Sequence, residues 1–183
     1  MAIDIDSHVK VNVKVTQDHV KESEADVKVV EPENLHFTVK FLGNVDESAV
    51  KRIIGVLTPL LEGEKSSKVS VKGVGFFGHM KAPRVLWVGV GEGKTYIEGI
   101  FSKISAKLEE IGIKSDGKEA VPHITVGRVR SGRNINKLEE IILKERETLY
   151  GETLIDAVKL KSSVLTPRGP RYVDVASFPL KKQ

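Results

Sequence analysis

The chain has 183 residues, of which 40% are hydrophobic and 30% are charged, and it contains no cysteine. Such a composition is typical of one globular domain with a buried core, and it excludes a disordered chain. Without cysteine the protein forms neither disulfides nor thiolate metal sites. The longest apolar runs, such as residues 85–88, are far too short to span a bilayer, and residues 1–6 do not resemble a signal peptide. We therefore expect a cytoplasmic protein with no membrane partner.

The chain is mildly basic, with a formal net charge of +4 and an isoelectric point of about 9.2. A basic balance favours an anionic partner, because attraction at long range speeds the encounter with polyanions. Lysines on solvated helix faces produce the same total, so the charge alone does not identify the partner.

The first third of the chain contains short strand patterns and one ambiguous segment. Residues 2–5 predict a first strand, and residues 27–30 and 35–42 predict two more. Residues 9–20 carry valines at alternate positions, as in a strand. Valines 9, 13 and 20 also fit one face of a helix, so the residues alone leave both interpretations open.

The remaining chain alternates helices and strands. Asp46 suits the N-cap of a helix, and a second helix is predicted at 95–111. Strands are predicted at 69–77, 84–90 and 121–129, and a third helix carries the apolar stripe Ile135, Leu138, Ile141 and Ile142. Residues 154–165 and 172–178 predict a terminal hairpin. The elements lack the regular βαβ period of a doubly wound fold, so the sequence predicts an α+β protein.

Two predicted strands contain the same short pattern of histidine, an apolar residue, threonine and an apolar residue. One copy begins at His36 and continues to Thr38, and the other begins at His123 and continues to Thr125. Residues two apart on a strand project from the same face, so each histidine should share a face with its threonine. A single copy is more often structural than catalytic, but the repetition with the same apolar neighbours favours a paired site.

Paired imidazoles and hydroxyls suit metal-independent phosphate chemistry. Histidine titrates near neutrality, so one copy can act as an acid while the other acts as a base. A threonine hydroxyl can donate a hydrogen bond to a phosphoryl oxygen. No third side chain has the spacing of a zinc ligand, so we expect neither a metal nor another cofactor.

The two motifs resemble the signature of the 2H phosphoesterases. Residues 34–43 and 122–128 are similar to the RNA 2′,3′-cyclic phosphodiesterase branch, also called the 2′-5′ RNA ligase family. Residues 84–90 and 165–172 resemble further motifs of that branch, and the similarity extends from residue 2 to residue 178. The resemblance implies a single domain over 1–183, with two pseudo-twofold lobes, antiparallel sheets lining a central cleft and helices outside. It also implies a helix at 9–20.

The resemblance assigns roles to individual residues. It implies that His36 is the proton donor, that His123 is the proton acceptor, and that Thr38 and Thr125 bind the phosphate. It further implies that Arg128 contacts the phosphate and that Phe41 stacks on a base. Strict alternation would place Arg128 and Phe41 on the core face, so we expect a bulge or a strong twist near Gly127. Without it, Arg128 would be a structural ion-pair residue.

The implied activity is hydrolysis of RNA 2′,3′-cyclic phosphate ends to 2′-phosphates, with 2′-5′ ligation as the reverse reaction. RNA, with tRNA fragments as one candidate, would be the partner. One alternative substrate is a small cyclic nucleotide, such as a cyclic phosphate derived from ADP-ribose. A non-catalytic RNA- or nucleotide-binding module is the alternative in another class.

Other candidate residues carry weaker signals. We expect His8 and His19 to be solvated and His79 to lie in a surface loop. Arg84, Arg168 and Arg171 fit either a basic rim for RNA or ordinary solvated arginines.

Overall fold

A computed structural model describes residues 1–113, 121–166 and 169–182. These residues form nine strands and four helices, together with a 3₁₀ turn over Pro32–Asn34. The helices are α1 (Ser7–Glu22), α2 (Glu47–Glu62), α3 (Lys94–Glu110) and α4 (Ile135–Glu145). The strands are β1 (Ala2–Asp4), β2 (Val27–Val29), β3 (His36–Thr38), β4 (Ser67–His79), β5 (Ala82–Val90), β6 (Ile124–Val129), β7 (Leu149–Ile155), β8 (Ala157–Thr166) and β9 (Gly169–Pro179).

The nine strands form one sheet in the order β7-β4-β5-β6-β3-β1-β8-β9, and β2 adds to β6. The pairings of these strands are antiparallel. Antiparallel strands combined with helices confirm the predicted α+β class.

The two motif strands meet at the centre of the sheet. β3 and β6 pair through Phe37 and Ile124, and both side chains are 0% exposed. Strands β1, β3, β8 and β9 lie on one side of this junction, which we call the His36 half. Strands β2, β4, β5, β6 and β7 lie on the other side, the His123 half. Because Phe37 and Ile124 are anchored in the core, the residues next to them project away from it.

The ambiguous segment 9–20 is helical, as the family resemblance implied. Val9, Val13 and Val20 are at most 1% exposed and pack into the core, whereas Val11 and Val15 are 65% and 52% exposed. Burial of one helical face therefore overrides the strand preference of the valines.

Several predicted strand boundaries are wrong, and one of them is the start of the second hairpin strand, which is Gly169 rather than residue 172. The strand expected over 35–42 spans only His36–Thr38, because its neighbour β1 pairs Ala2 with Thr38 and the ladder ends there. The strand expected from residue 121 begins at Ile124. The single strand expected over 154–165 is instead divided between β7 and β8 at Asp156, whose carbonyl accepts a hydrogen bond from Leu180.

The predicted N-cap of α2 is confirmed. The Asp46 carboxylate accepts a hydrogen bond from the Ala49 amide at 2.7 Å, which caps the N-terminus of α2. No helix in the described part of the chain is long and apolar enough to cross a membrane.

Candidate active site

One cleft of about 1180 Å³ brings both motifs together, because His36, Thr38, His123 and Thr125 all line it. His36 and Thr38 come from β3, Thr125 comes from β6, and His123 immediately precedes β6. The apolar residues between them are buried, so alternation along each strand turns the polar side chains toward the cleft. The structure therefore assembles the four residues that the repeated motif singled out.

His36 is oriented by its own backbone neighbourhood. Its Nδ1 donates to the carbonyl of Asn34 at 2.7 Å, and its Nε2 lies 3.2 Å from the Thr38 hydroxyl oxygen. Burial lowers the pKa of His36, and the nearby Lys161 ammonium lowers it further. The hydrogen bond to Asn34 and the Asp4 carboxylate act on this pKa in the opposite direction.

His123 has a matching arrangement. Its Nδ1 donates to the carbonyl of Val121 at 2.7 Å, again two residues earlier in the chain. Burial lowers its pKa, and the positive charge of Arg128 lowers it further. In both motifs the backbone therefore holds Nδ1 protonated and leaves Nε2 for chemistry.

An aromatic ring packs edge-on against each imidazole. The ring of Tyr172 lies 5.3 Å from that of His36 at an interplanar angle of 81°. The ring of Phe77 lies 4.8 Å from that of His123 at 87°. The sequence did not indicate either ring, since the contacts depend on strand pairing across the fold. Each edge-on contact restricts the rotation of the imidazole it touches.

Behind Phe77, a tryptophan supports the His123 half. The ring of Trp87 lies 5.6 Å from that of Phe77 and packs directly against Gly75, where a Cβ atom would collide with the indole. Gly75 and Trp87 are cross-strand partners in β4 and β5. Position 75 must therefore be glycine, because a side chain there would collide with the indole that packs against Phe77.

A β-bulge places Arg128 in the cleft, as expected from the sequence. In the β5–β6 register Leu86 pairs with Gly127 but Trp87 pairs with Thr125, so Val126 is an extra residue. Arg128 consequently becomes exposed and lines the cleft. A Cβ atom on Gly127 would lie 2.7 Å from the Val27 side chain, so glycine serves the close approach of β2.

Phe41 also lines the cleft and is 74% exposed. Because β3 ends at Thr38, strand alternation no longer determines the direction of the Phe41 side chain. An exposed phenyl ring at the cleft offers a surface on which a nucleobase can stack.

A four-residue ion-pair network adjoins His36, and the sequence did not predict it. Asp4 is the cross-strand neighbour of His36. Lys161 lines the cleft, and its Nζ lies 3.0 Å from Asp4 Oδ1 and 2.7 Å from Asp174 Oδ1. The Nζ of Lys159 contacts the same two carboxylates at 2.7 and 2.8 Å. Two lysines are thus matched by two aspartates at the edge of the cleft.

The remaining histidines lie elsewhere. His8 is exposed, and His79 is exposed at the end of β4 rather than in a loop. The expectation that His19 is solvated is wrong, because this half-buried residue has its Nδ1 2.6 Å from Glu145 Oε1. Across the described ranges, no three His, Asp or Glu side chains are grouped as a metal site.

The three arginines proposed as a basic rim have different positions. Arg171 is exposed and lines the cleft. Arg84 is exposed but is not among the residues that line the cleft. Arg168 lies outside the described residues. Arg171 is therefore the one of the three that the structure places at the site.

Comparisons with known proteins identify relatives along the whole chain. The model of the family described as LigT like Phosphoesterase matches residues 3–87. A protein of Methanothermobacter thermautotrophicus named RNA 2′,3′-cyclic phosphodiesterase is 38% identical over 180 residues, covering 98% of this chain and 97% of the relative. One of the same name from Methanocaldococcus jannaschii is 37% identical over 172 residues, covering 94% of each chain.

Solved structures share the fold at lower identity. A crystal structure of a protein from Thermus thermophilus has a TM-score of 0.81 and 24% identity, covering 100% of this chain and 97% of the other. LigT from E. coli in complex with 3′-AMP has a TM-score of 0.77 and 16% identity, covering 98% and 95%. These similarities and the two motifs lead to the same assignment: the chain belongs to the LigT-like phosphoesterase family.

Proposed function

We propose that this protein hydrolyses RNA 2′,3′-cyclic phosphate ends to 2′-phosphomonoesters by acid–base catalysis, as a single domain over 1–183 whose two lobes contribute one motif each. The observation that carries the proposal is the pair of imidazoles in one cleft, each with Nδ1 bonded to a backbone carbonyl. The names of the relatives support RNA cyclic phosphates as the substrate class.

His123 acts as the base in this mechanism. Its Nδ1 proton is engaged by the Val121 carbonyl, so the neutral ring presents a lone pair on Nε2. Water attacks phosphorus, and its proton passes to His123 Nε2 while the new P–O bond forms. Burial and the charge of Arg128 both lower the pKa of His123, which keeps the ring neutral and able to accept a proton.

His36 acts as the acid. Its Nε2–H donates a proton to O3′ as the P–O3′ bond breaks, which leaves the phosphate on O2′. The bound cyclic phosphate is an anion, and an anion close to His36 favours its charged form. The Asp4 carboxylate acts on the pKa of His36 in the same direction as the bound anion, against the effects of burial and of Lys161.

The threonines and Arg128 stabilise the charge of the phosphate. The hydroxyls of Thr38 and Thr125 line the cleft beside the two imidazoles and can donate to phosphoryl oxygens. Arg128 reaches the same cleft through the bulge and adds a positive charge. Phe41 offers its exposed ring to the terminal base.

Microscopic reversibility gives the same site a second reaction. If an RNA 5′-hydroxyl replaces water, displacement at the cyclic phosphate forms a 2′-5′ linkage. No ATP is required, because the strained ring carries the activation. Water is present at far higher concentration, so hydrolysis dominates unless a second RNA end is bound. Cytoplasmic tRNA fragments with cyclic ends are our candidate substrates.

A single assay tests the proposal. RNA with a 2′,3′-cyclic phosphate end is incubated with the protein in excess EDTA, and the product is identified by ³¹P NMR. We expect undiminished turnover and a 2′-phosphate, since the imidazoles and hydroxyls supply the roles that a metal would fill. Loss of turnover in EDTA that a divalent ion restores would contradict the mechanism, and a 3′-phosphate product would contradict the assigned leaving group.

A further inference from the structure

Two cations face each other across neighbouring strands beside the active site. The β2–β6 register places Lys28 directly opposite Arg128. Like charges in directly opposed positions of a sheet destabilise it. Among residues 1–113, 121–166 and 169–182, no carboxylate forms an ion pair with either side chain. The described part of the chain therefore leaves this repulsion unrelieved.

Two other neighbouring lysines are paired with carboxylates. Lys159 and Lys161, in the His36 half, each contact the carboxylates of Asp4 and Asp174 within 3.0 Å. The Lys28–Arg128 pair has no such neutralisation in the described residues, although Glu31 and Glu33 also line the cleft. An unneutralised pair of cations is suited to an anionic ligand.

The pair is accessible from the cleft. Lys28 and Arg128 are both exposed, and both line the cleft that contains the catalytic motifs. His123 and Arg128 are five residues apart, which is roughly 15 Å of extended chain. Lys28 lies beside Arg128 on the neighbouring strand β2, so the two cations are at the end of β6 away from His123.

We propose that Lys28, beside the Arg128 that contacts the reacting phosphate, forms a subsite for a second phosphate of the substrate, namely a phosphodiester of the RNA chain next to the cyclic end. This inference rests on the proposed function. A nucleoside cyclic monophosphate has only the reacting phosphate and leaves the subsite empty, whereas an RNA oligonucleotide fills it. The subsite thus distinguishes RNA ends from nucleoside cyclic monophosphates without reading the base sequence.

The test compares two substrates and two variants. The substrates are a nucleoside 2′,3′-cyclic monophosphate and an RNA oligonucleotide that ends in the same nucleoside cyclic phosphate. The variants are Lys28→Gln and the control Lys137→Gln, an exposed lysine on α4 that does not line the cleft. We expect Lys28→Gln to reduce kcat/KM for the oligonucleotide about fivefold more than for the monophosphate, as one lost phosphate contact implies. Lys137→Gln should match the wild type on both.

Equal reduction of both substrates by Lys28→Gln would overturn the subsite, and so would no reduction of either. Lys28→Arg should restore the preference for the oligonucleotide, because it retains the charge. Binding separates this inference from the proposed function. If the wild type hydrolyses neither substrate, the proposed function fails. Fluorescence anisotropy with a 2′-phosphorylated oligonucleotide then still shows whether Lys28→Gln weakens binding and makes the salt dependence shallower, and unchanged binding would overturn the subsite.

Discussion

The His36 half and the His123 half of the site repeat one arrangement in different surroundings. In each, Nδ1 donates to the carbonyl two residues earlier, and an aromatic ring packs edge-on against the imidazole. Around His36 the neighbours are charged and include the Asp4 carboxylate and the Lys161 ammonium. Around His123 they are the ring of Phe77 and the guanidinium of Arg128.

The proposed acid and base roles depend on how these surroundings act on the two pKa values. The shared hydrogen bond aims Nε2 in both halves, and the neighbouring charges then bias its protonation. Burial lowers the pKa of both imidazoles. At His36 the Asp4 carboxylate partly offsets the effects of burial and Lys161, whereas at His123 the charge of Arg128 adds to the effect of burial. The two copies share their geometry, and we propose that the bound anionic phosphate favours the protonated form of His36.

Removal of either imidazole should have the largest effect. We expect His36→Ala and His123→Ala each to reduce kcat on cyclic-phosphate RNA by on the order of 10²–10⁴-fold, the usual range for a general acid or base. The matched control is His79→Ala, because His79 is exposed at the end of β4 and does not line the cleft. Wild-type turnover by either variant would show that the imidazole it lacks is not catalytic.

Loss of the side-chain hydrogen bond of Asn34, which has no equivalent at Val121 in the His123 half, should have a smaller effect on kcat. The Asn34 carbonyl accepts from His36, and its side-chain amide donates to the carbonyl of Pro170 at 3.0 Å. Tyr172, two residues later, packs against His36. Asn34 therefore connects the β8–β9 hairpin to the acid, whereas the corresponding carbonyl in the His123 half belongs to Val121, whose side chain makes no hydrogen bond.

We predict that Asn34→Ala lowers kcat of the folded enzyme about fivefold, the value of one net hydrogen bond of about 1 kcal/mol. Asn34→Asp should behave similarly, because a carboxylate fills the same space but cannot donate. Thermal melting gives the folded fraction, and stopped assays give kcat for that fraction. Full kcat in Asn34→Asp would show that the donated hydrogen bond does not position His36.

The smallest predicted effect is a displacement of the pH profile of kcat/KM. The base must be neutral, so activity rises as pH increases through the pKa of His123. Arg128 lowers that pKa, and Arg128→Met should therefore move the acidic limb to higher pH. The acid must be protonated, so activity falls as pH increases through the pKa of His36. Lys161 lowers that pKa, and Lys161→Met should move the alkaline limb to higher pH.

Each variant should thus displace a different limb. Only the pH positions of the limbs are compared, because loss of a phosphate contact also lowers the height of the profile. If Arg128→Met moved the alkaline limb instead, the charge of Arg128 would act on the acid rather than on the base.

The sequence predicted the polar residues that line the cleft better than the residues that contact them. The repeated motif identified His36, Thr38, His123 and Thr125. The resemblance placed Arg128 at the phosphate, which required a bulge or a strong twist near Gly127, and the bulge lies at Val126. Tyr172, Phe77 and the Asp4–Lys161 pair were not predicted, because their contacts depend on strand pairings between distant parts of the chain. Asn34 and Pro170, for example, are 136 residues apart.

Strand lengths were overestimated for a related reason. The apolar run after His36 reads as a long strand, but the length of β3 is set by the partner strand β1, which pairs no further than Thr38. A pattern of side chains indicates a local preference, whereas a strand requires a neighbour to bond with. Local patterns therefore located the chemistry, and nonlocal pairing determined its surroundings.

The most direct test of the division of roles uses a substrate with a better leaving group. A cyclic phosphodiester whose departing oxygen is much less basic needs little protonation as the P–O bond breaks. We predict that His36→Ala is largely rescued on this substrate and approaches the wild-type rate, whereas His123→Ala stays slow because water still requires a base. Rescue of His123→Ala with persistent loss in His36→Ala would contradict the assignment and reverse the two roles.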